Sequence, residues 1–287
     1  MNGQPLEVGG AARLARSGEA AAQSAATANG SLPALVLRYF TVGEWARLNP
    51  GHYHDQEHPV HVANTVAEVA GNLGRSPERA EFLQQVALLH DVDERIGQSS
   101  AVSPARAPVT LEWMDRNQEA LGGRFGWNSA DFAEAKALIA RTDFPFDEKP
   151  KNLSTRYDGQ SPIMLYQNLL AAVPEERRQQ TMEDGLILRF ADQTGNYTVD
   201  AEQSARYIAG LGDEMRGVGI NITNEQLAKG SPDFLRAAGL DMAEDWKIAD
   251  DLAVPSGDFA TRDILLGALS PNRREAFLAL QKEGHSL

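Results

Sequence analysis

Helical periodicity is the feature of this sequence that most limits its fold. Between residues 57 and 73, apolar side chains recur at intervals of three and four, which places them on one stripe of a helix. These side chains are Val62, Val66, Val69, Ala70 and Leu73. Ser76 followed by Pro77 is typical of a helix N-cap and first turn, and it opens a second stretch that runs to His90. No segment alternates apolar and polar residues for long, so the chain is predicted to be all-α, with about ten helices.

The same reasoning locates further helices and the turns between them. Apolar helical patterns lie at 32–48 and at about 110–121, 130–141, 161–173, 183–195 and 200–215. Later helix starts are indicated by a capping-box pattern at 223–226 and by Ser-Pro pairs at 231–232 and 270–271. The longest turn-rich stretches are about 95–109 and 144–160, where a lid or the rim of a site could lie.

Composition excludes several classes of protein. The chain has 287 residues and no Cys, with 40 acidic side chains against 27 Lys and Arg, for a formal net charge of −13. The lack of Cys excludes disulfides, thiolate zinc sites, iron–sulfur clusters and Cys nucleophiles. The acid excess argues against nucleic-acid binding, and no apolar run reaches the length of a membrane span. We therefore expect a cytoplasmic protein whose chemistry uses His, carboxylates or hydroxyls.

Three segments are expected along the chain. Residues 1–30 are rich in Ala, Gly, Ser and Gln and contain no aromatic residue, which favours a flexible tail over a secretory signal or transit peptide. Residues 31–215 carry the main helical domain. Residues 216–287 form a helical extension that is expected to pack on this domain, where it could wall a pocket or form a homodimer contact.

Histidines and isolated carboxylates mark the candidate site. Five of the six His lie between residues 52 and 90, and His90 is followed by Asp91 after an apolar run. Asp192 likewise follows an apolar helical stretch. Burying a carboxylate is costly without a partner, and a divalent cation is one partner that imidazole nitrogens and carboxylate oxygens can share. From the residues alone, hydrogen-bonded core histidines and helix-end carboxylates remain the alternative.

At these positions the chain resembles the HD-domain superfamily of metal-dependent phosphohydrolases. The signature of that family is a His, a His-Asp pair and a distant Asp on helices, and His58, His90, Asp91 and Asp192 match it in order. The likeness is greatest to the cyclic-nucleotide phosphodiesterase branch. Residues 53–58 read Tyr-His-Asp-Gln-Glu-His against the family's Tyr-His-Asn-x-x-His, and residues 90–94 read His-Asp-Val-Asp-Glu against His-Asp-Val-Asp-His.

Two further elements extend this resemblance. Residues 140–143, Ala-Arg-Thr-Asp, compare with an Ala-Thr-Asp element, and residues 191–196, Ala-Asp-Gln-Thr-Gly-Asn, compare with Ala-Asp-Leu-Ser-Asn. Glu94 departs from the pattern by replacing a His, and the Gln that grips the nucleobase in cyclic-nucleotide enzymes has no convincing counterpart. These departures leave the substrate open.

The resemblance implies an HD-type helical bundle with one or two divalent ions, Mg, Mn, Fe or Zn. His58, His90, Asp91 and Asp192 would bind one ion, and Asp91 would bridge to a second. A metal-activated water would act as the nucleophile on a small phosphate ester or phosphodiester, such as a cyclic or other small nucleotide, and His54 would protonate the leaving oxygen. Such a hydrolase needs a small-molecule phosphate substrate, with no nucleic acid or membrane as partner.

Other residues are expected to surround these ligands or to contact the substrate. They are Tyr53, His61, Asp93, Glu94, Thr142, Asp143 and Arg189. Arg95, Arg141 and Arg189 are each expected either to steady a phosphate or to pair with a nearby carboxylate.

Two other functions fit parts of the pattern. A degenerate HD domain that serves as a binding or regulatory module would have lost metal ligands, but all four are present. An HD-type di-iron oxygenase needs additional His ligands after the His-Asp pair, and the only His beyond Asp91 is His285. The sequence therefore favours a hydrolase.

Overall fold

The fold is helical throughout the part of the chain that the structure describes. The computed structural model describes residues 33–49, 53–93, 107–143, 145–149, 156–157, 159–217, 219–237, 242–257 and 259–283. Within these ranges there are fourteen helices and no strand, which confirms the all-α prediction. None of the described helices is both long and apolar enough to cross a membrane.

The helices are numbered here in chain order. They are α1 (Ala34–Leu37), α2 (Val42–Leu48), α3 (His58–Asn72), α4 (Pro77–Leu89), α5 (Ala107–Arg116), α6 (Gln118–Phe125), α7 (Ser129–Thr142), α8 (Pro162–Ala171), α9 (Glu175–Thr194), α10 (Ala201–Gly217), α11 (Asn224–Ala237), α12 (Met242–Asp251), α13 (Arg262–Gly267) and α14 (Pro271–Glu283).

The chain divides into two compact units, residues 1–48 and 49–287. In the first unit the predicted helix at 32–48 is interrupted. Thr41 starts a new helix because its hydroxyl accepts the Glu44 amide at 3.3 Å while the Glu44 carboxylate accepts the Thr41 amide at 2.9 Å. This reciprocal pair is a capping box, a signal that the apolar pattern alone does not show.

The second unit is built around α3, α4, α7 and α9. Helix α3 packs along α4, α9 packs against α7 and α3, and α7 also contacts α8. The apolar stripe predicted on α3 is buried, with Val62, Val66 and Val69 fully covered. Helix α4 begins as predicted, because the Ser76 hydroxyl accepts the amide of Arg79 at 3.2 Å.

Two sequence signals for helix boundaries are wrong. The pattern at 110–121 is two helices, α5 and α6, which are separated at Asn117. The pair Ser231-Pro232 lies inside α11 instead of starting a helix. Pro232 has no amide to donate to the Ala228 carbonyl, and the Ser231 hydroxyl donates to that carbonyl at 2.7 Å instead.

Two helices beyond residue 216, α12 and α14, contact helices that carry predicted site residues. Arg141 of α7 forms a fully buried bidentate ion pair with Asp245 of α12. Arg273 of α14 donates to Glu68 of α3 at 2.6 Å and to Thr198 at 2.7 Å. These contacts tie the C-terminal helices directly to α3 and α7.

Candidate metal centre

Three helices of the second unit bring four predicted ligands together. His58 is the first residue of α3, and His90 and Asp91 directly follow the last residue of α4. Asp192 lies in the last turn of α9. One ligand atom from each of these four side chains falls within 4.8 Å of every other.

The donor atoms of this four-residue group converge on one point. Nε2 of His58 lies 3.2 Å from Nε2 of His90, and Oδ2 of Asp91 lies 2.8 Å and 2.9 Å from these two nitrogens. Oδ1 of Asp192 completes the group at 3.5 Å from His58 and 3.4 Å from His90. Both imidazoles are buried, whereas the two carboxylates keep an exposed edge. Two imidazole nitrogens and two carboxylate oxygens form a donor set that fits a divalent metal ion.

His58 is positioned by the start of α3. The Asp55 carboxylate accepts the backbone amides of Glu57 and His58 at 2.8 and 2.9 Å, which satisfies two of the amides that a helix start leaves without partners. Pro59 follows His58 in the first turn, where a residue without an amide is tolerated. These bonds hold His58 at the N-terminal end of α3, and this end faces the other three ligands.

His90 and Asp91 are held by a turn that closes α4. The His90 ring donates from Nδ1 to the carbonyl of Ala87 at 2.7 Å, so in the neutral ring the lone pair is on Nε2, which faces the group. The buried Thr110 hydroxyl lies 3.2 Å from the His90 carbonyl and 3.0 Å from the Val92 carbonyl. Thr110 therefore holds the backbone on both sides of Asp91, a role that nothing in the sequence predicts.

The histidines and carboxylates of the group shift one another's pKa values. Burial lowers the pKa of His58, but the carboxylates of Asp192 and Asp91 outweigh it and raise this pKa to about 9. The pKa of His90 is raised for the same reason. Burial would raise the pKa values of Asp91 and Asp192, yet the two histidines hold both well below their usual range. The site therefore keeps its carboxylates ionised and attracts positive charge.

His54 stands beside the group and is held by a carboxylate that the sequence analysis missed. Its Nδ1 donates to Oε2 of Glu214 at 2.6 Å, and the amides of Tyr53 and His54 donate to Oε1 of the same residue at 2.7 and 3.0 Å. Nε2 of His54 then lies 3.7 Å from Oδ2 of Asp91. Burial would raise the pKa of Glu214, but His54 and these amides lower it to about 2.

Glu214 had a signal in the sequence. It lies on α10, seven residues after Tyr207, so both side chains fall on the same face of that helix. Tyr207 is buried on this face and its hydroxyl donates to Asp55 at 3.2 Å. A carboxylate two turns along a buried stripe requires a partner, but the periodicity does not say which residue provides it.

Two tyrosines form one wall next to the ligands. The Tyr53 ring centre lies 5.2 Å from that of His58, and the Tyr197 hydroxyl donates to the Tyr53 hydroxyl at 3.3 Å. Burial raises the pKa of Tyr53, and it raises that of Tyr197 to about 12. Both phenols are therefore neutral at physiological pH.

Arg189 contacts Asp192, one of the four proposed ligands. Its Nη1 donates to the Thr142 carbonyl at 2.9 Å and lies 3.4 Å from Oδ2 of Asp192. Arg141 is expected from the sequence either to steady a phosphate or to pair with a carboxylate. The structure shows the pairing, since its guanidinium is bound to Asp245.

The remaining predicted residues lie outside the four-residue group. His61 faces Gln203 and the Tyr207 ring, and burial lowers its pKa to about 4. Asp93 and Asp143 are buried, each close to the end of a helix. Glu94 and Arg95 lie outside the described residues.

Comparisons with protein-family models, curated proteins and solved structures find no match to this chain. The four-residue group and its neighbours are therefore interpreted from their own geometry.

Proposed function

We propose that this protein is a metal-dependent hydrolase of a small phosphate ester or phosphodiester. The observation that carries the proposal is the convergence of His58, His90, Asp91 and Asp192, with His54 directed at the same point. The resemblance of these residues to the HD-domain signature supports the same reaction class.

The four-residue group would hold one divalent ion, and the exposed edges of its carboxylates leave room for water or substrate. A bound ion supplies Lewis acidity, which lowers the pKa of water and offsets the negative charge of a phosphate. This resolves the apparent conflict between an acidic protein and an anionic substrate, because cations bound by a few carboxylates provide the local positive field.

His54 is the proposed proton donor to the leaving oxygen. With Nδ1 donating to Glu214, the proton that His54 can transfer is on Nε2, the atom that faces Asp91. Glu214 holds the ring in this orientation and stabilises its protonated form, while the amides of Tyr53 and His54 hold Glu214 in turn. Tyr53 is a neutral hydroxyl at the wall of the site; it accepts the hydroxyl hydrogen of Tyr197 and would donate its own hydrogen to a substrate oxygen.

A panel assay tests this proposal. The purified protein, loaded separately with Mn²⁺, Mg²⁺ or Zn²⁺, is offered phosphate monoesters, linear phosphodiesters and cyclic nucleotides, and the release of product is followed. We expect metal-dependent hydrolysis of at least one class, lost in Asp192→Asn and retained in Asp213→Asn, a matched change at an exposed aspartate of α10. Bound metal without hydrolysis of any ester would contradict the proposal and favour a regulatory metal-binding module.

A further inference from the structure

The contacts of His58 carry an inference beyond the ligand set. Its two ring nitrogens are contacted from one face of the same helical segment. Asp192 lies 3.5 Å from Nε2, and Asn196, four residues later, is fully buried and has its amide nitrogen Nδ2 against Nδ1. Residues four apart on a helical path share a face, so Asp192 and Asn196 reach opposite sides of one imidazole.

Gly195 makes this approach possible. The chain continues its helical path through Gly195, with φ −54° and ψ −46°. A Cβ there would lie 2.7 Å from the Ala191 carbonyl oxygen and 3.3 Å from the carbonyl of His61 on α3. Any larger residue would push this segment away from α3, and Asn196 away from His58.

The chemistry of the ring decides which amide atom faces it. If Nε2 of His58 binds a metal, the ring hydrogen is on Nδ1, and a protonated ring carries a hydrogen on Nδ1 as well. In both states Nδ1–H needs an acceptor, and only the oxygen of the Asn196 amide can accept. In the structure Nδ2 occupies this place, which sets two donors against each other, and the buried Oδ1 has no hydrogen-bond partner among the described residues. A 180° rotation of the amide brings Oδ1 to Nδ1–H and removes the conflict.

We infer that Asn196 is a positioning residue of the metal centre, whose side-chain oxygen accepts Nδ1–H of His58 and thereby presents Nε2 to the metal. The ring of His90 is oriented in the same way, because its Nδ1 donates to the Ala87 carbonyl and its Nε2 faces the group. The two imidazoles would thus be set by one side-chain amide and one backbone carbonyl. Groups that hold a ligand histidine in this way typically change metal affinity by about 10–100-fold when removed.

The inference rests on the metal-binding part of the proposed function and not on hydrolysis. Its test compares Asn196→Leu, which has nearly the same shape but no acceptor, with Asn196→Asp, which keeps an acceptor. Co²⁺ and Zn²⁺ affinities are measured by competition with a chelator, and Asn168→Leu on the exposed face of α8 is the matched control. We expect Asn196→Leu to weaken binding by about 10–100-fold, while Asn196→Asp and the control stay within a few-fold of the native protein.

A second readout does not depend on any variant. In the Zn²⁺-loaded native protein, ¹⁵N NMR of the His58 ring should show hydrogen on Nδ1 and none on Nε2. Wild-type affinity in Asn196→Leu, an equal loss in Asn196→Asp and Asn196→Leu with both folded by circular dichroism, or hydrogen on Nε2 would each overturn the inference. A native protein that binds no metal would instead refute the metal centre itself.

Discussion

At the scale of single residues, the pair formed by His54 and Glu214 carries the most specific consequence. His54→Gln should leave metal content unchanged and lower kcat by about 10²–10⁴-fold, since it removes the proton donor and no ligand. The loss should be greatest for substrates with poor leaving groups, which depend most on protonation. Steady-state kinetics with a series of leaving groups, together with metal analysis of the variant, checks this expectation. An equal loss for all leaving groups would count against His54 as the acid.

Glu214→Gln tests the residue that orients His54. The amide can still contact Nδ1 but cannot stabilise a protonated ring, so we expect kcat to fall by about 10–100-fold with metal content intact. The losses in Glu214→Gln and His54→Gln should not add, because Glu214 acts through His54, so the double variant should be about as slow as His54→Gln alone. A double variant that loses the product of the two single effects would show that Glu214 supports the fold and does not act through His54.

The site residues that the sequence predicted are ligand types at motif spacing, whereas the roles that it did not predict depend on contacts between helices. His58, His90, Asp91 and Asp192 are recognisable because ligand types stand at motif spacing on predicted helices. Glu214, Thr110 and Asn196 act through hydrogen bonds to a ring or a carbonyl, and such roles depend on which helices meet. Periodicity gives the face of a helix but not its neighbour, so these roles became visible only in the folded chain.

At the scale of helices, the close approach of α3 to the end of α9 can be tested at Gly195. Gly195→Ala should destabilise the protein by about 1–3 kcal/mol, because the added Cβ has no room against backbone atoms. It should also weaken metal binding by displacing Asn196. Gly71→Ala is a matched control in α3, since a Cβ there meets nothing within 4 Å. Urea unfolding should show the control to be neutral or up to about 1 kcal/mol more stable. Equal stability of the two variants would refute the close-packing account.

The buried pair of Arg141 and Asp245 links α7 to α12. Asp245→Asn should cost about 3–5 kcal/mol, because it removes the carboxylate that pairs with a buried guanidinium. The double variant Arg141→Met with Asp245→Leu removes both charges and should recover most of this loss. Chemical unfolding of the single and double variants measures both effects. A double variant no more stable than Asp245→Asn would contradict this view of the pair.

Helix boundaries show where sequence reasoning is sufficient and where it fails. The limits of α3 and α4 follow from an apolar stripe and from the Ser76-Pro77 signal. The break before α2 and the continuation of α11 through Pro232 depend on local hydrogen bonds, from Thr41 and from Ser231, that compete with the pattern. Side chains that supply or replace one backbone hydrogen bond can thus start a helix or carry it past a proline.

At the scale of the whole molecule, the metal-free protein should be most stable near pH 6.5. His58 has a folded-state pKa of about 9 against about 6.5 when unfolded, so its contribution is complete below 6.5 and is lost as the pH rises through 9. His61 acts in the opposite direction. Its pKa is lowered to about 4, so the unfolded chain binds more protons between pH 4 and 6.5 and stability rises over that range.

Urea unfolding in the presence of a chelator measures this profile. From pH 6.5 to 9 the free energy of unfolding should fall, by on the order of 3 kcal/mol from His58 alone. His58→Gln should lose the part of this slope that His58 contributes and keep the part from His90, whose pKa is also raised. With saturating metal the slope should reverse, because protons and metal compete for the same nitrogens. A metal-free protein whose stability rises between pH 6.5 and 9 would show that the carboxylates do not hold protons on the histidines.

Metal analysis measures whether four side chains from three helices hold a divalent ion. The native protein, Asp192→Asn and Asp213→Asn are reconstituted with Mn²⁺ or Zn²⁺, desalted and analysed by mass spectrometry of the metal. We expect one or two ions per chain in the native protein and in the exposed control, and a clear loss in Asp192→Asn. Equal metal content in Asp192→Asn and the native protein, or no metal in either, would contradict this expectation.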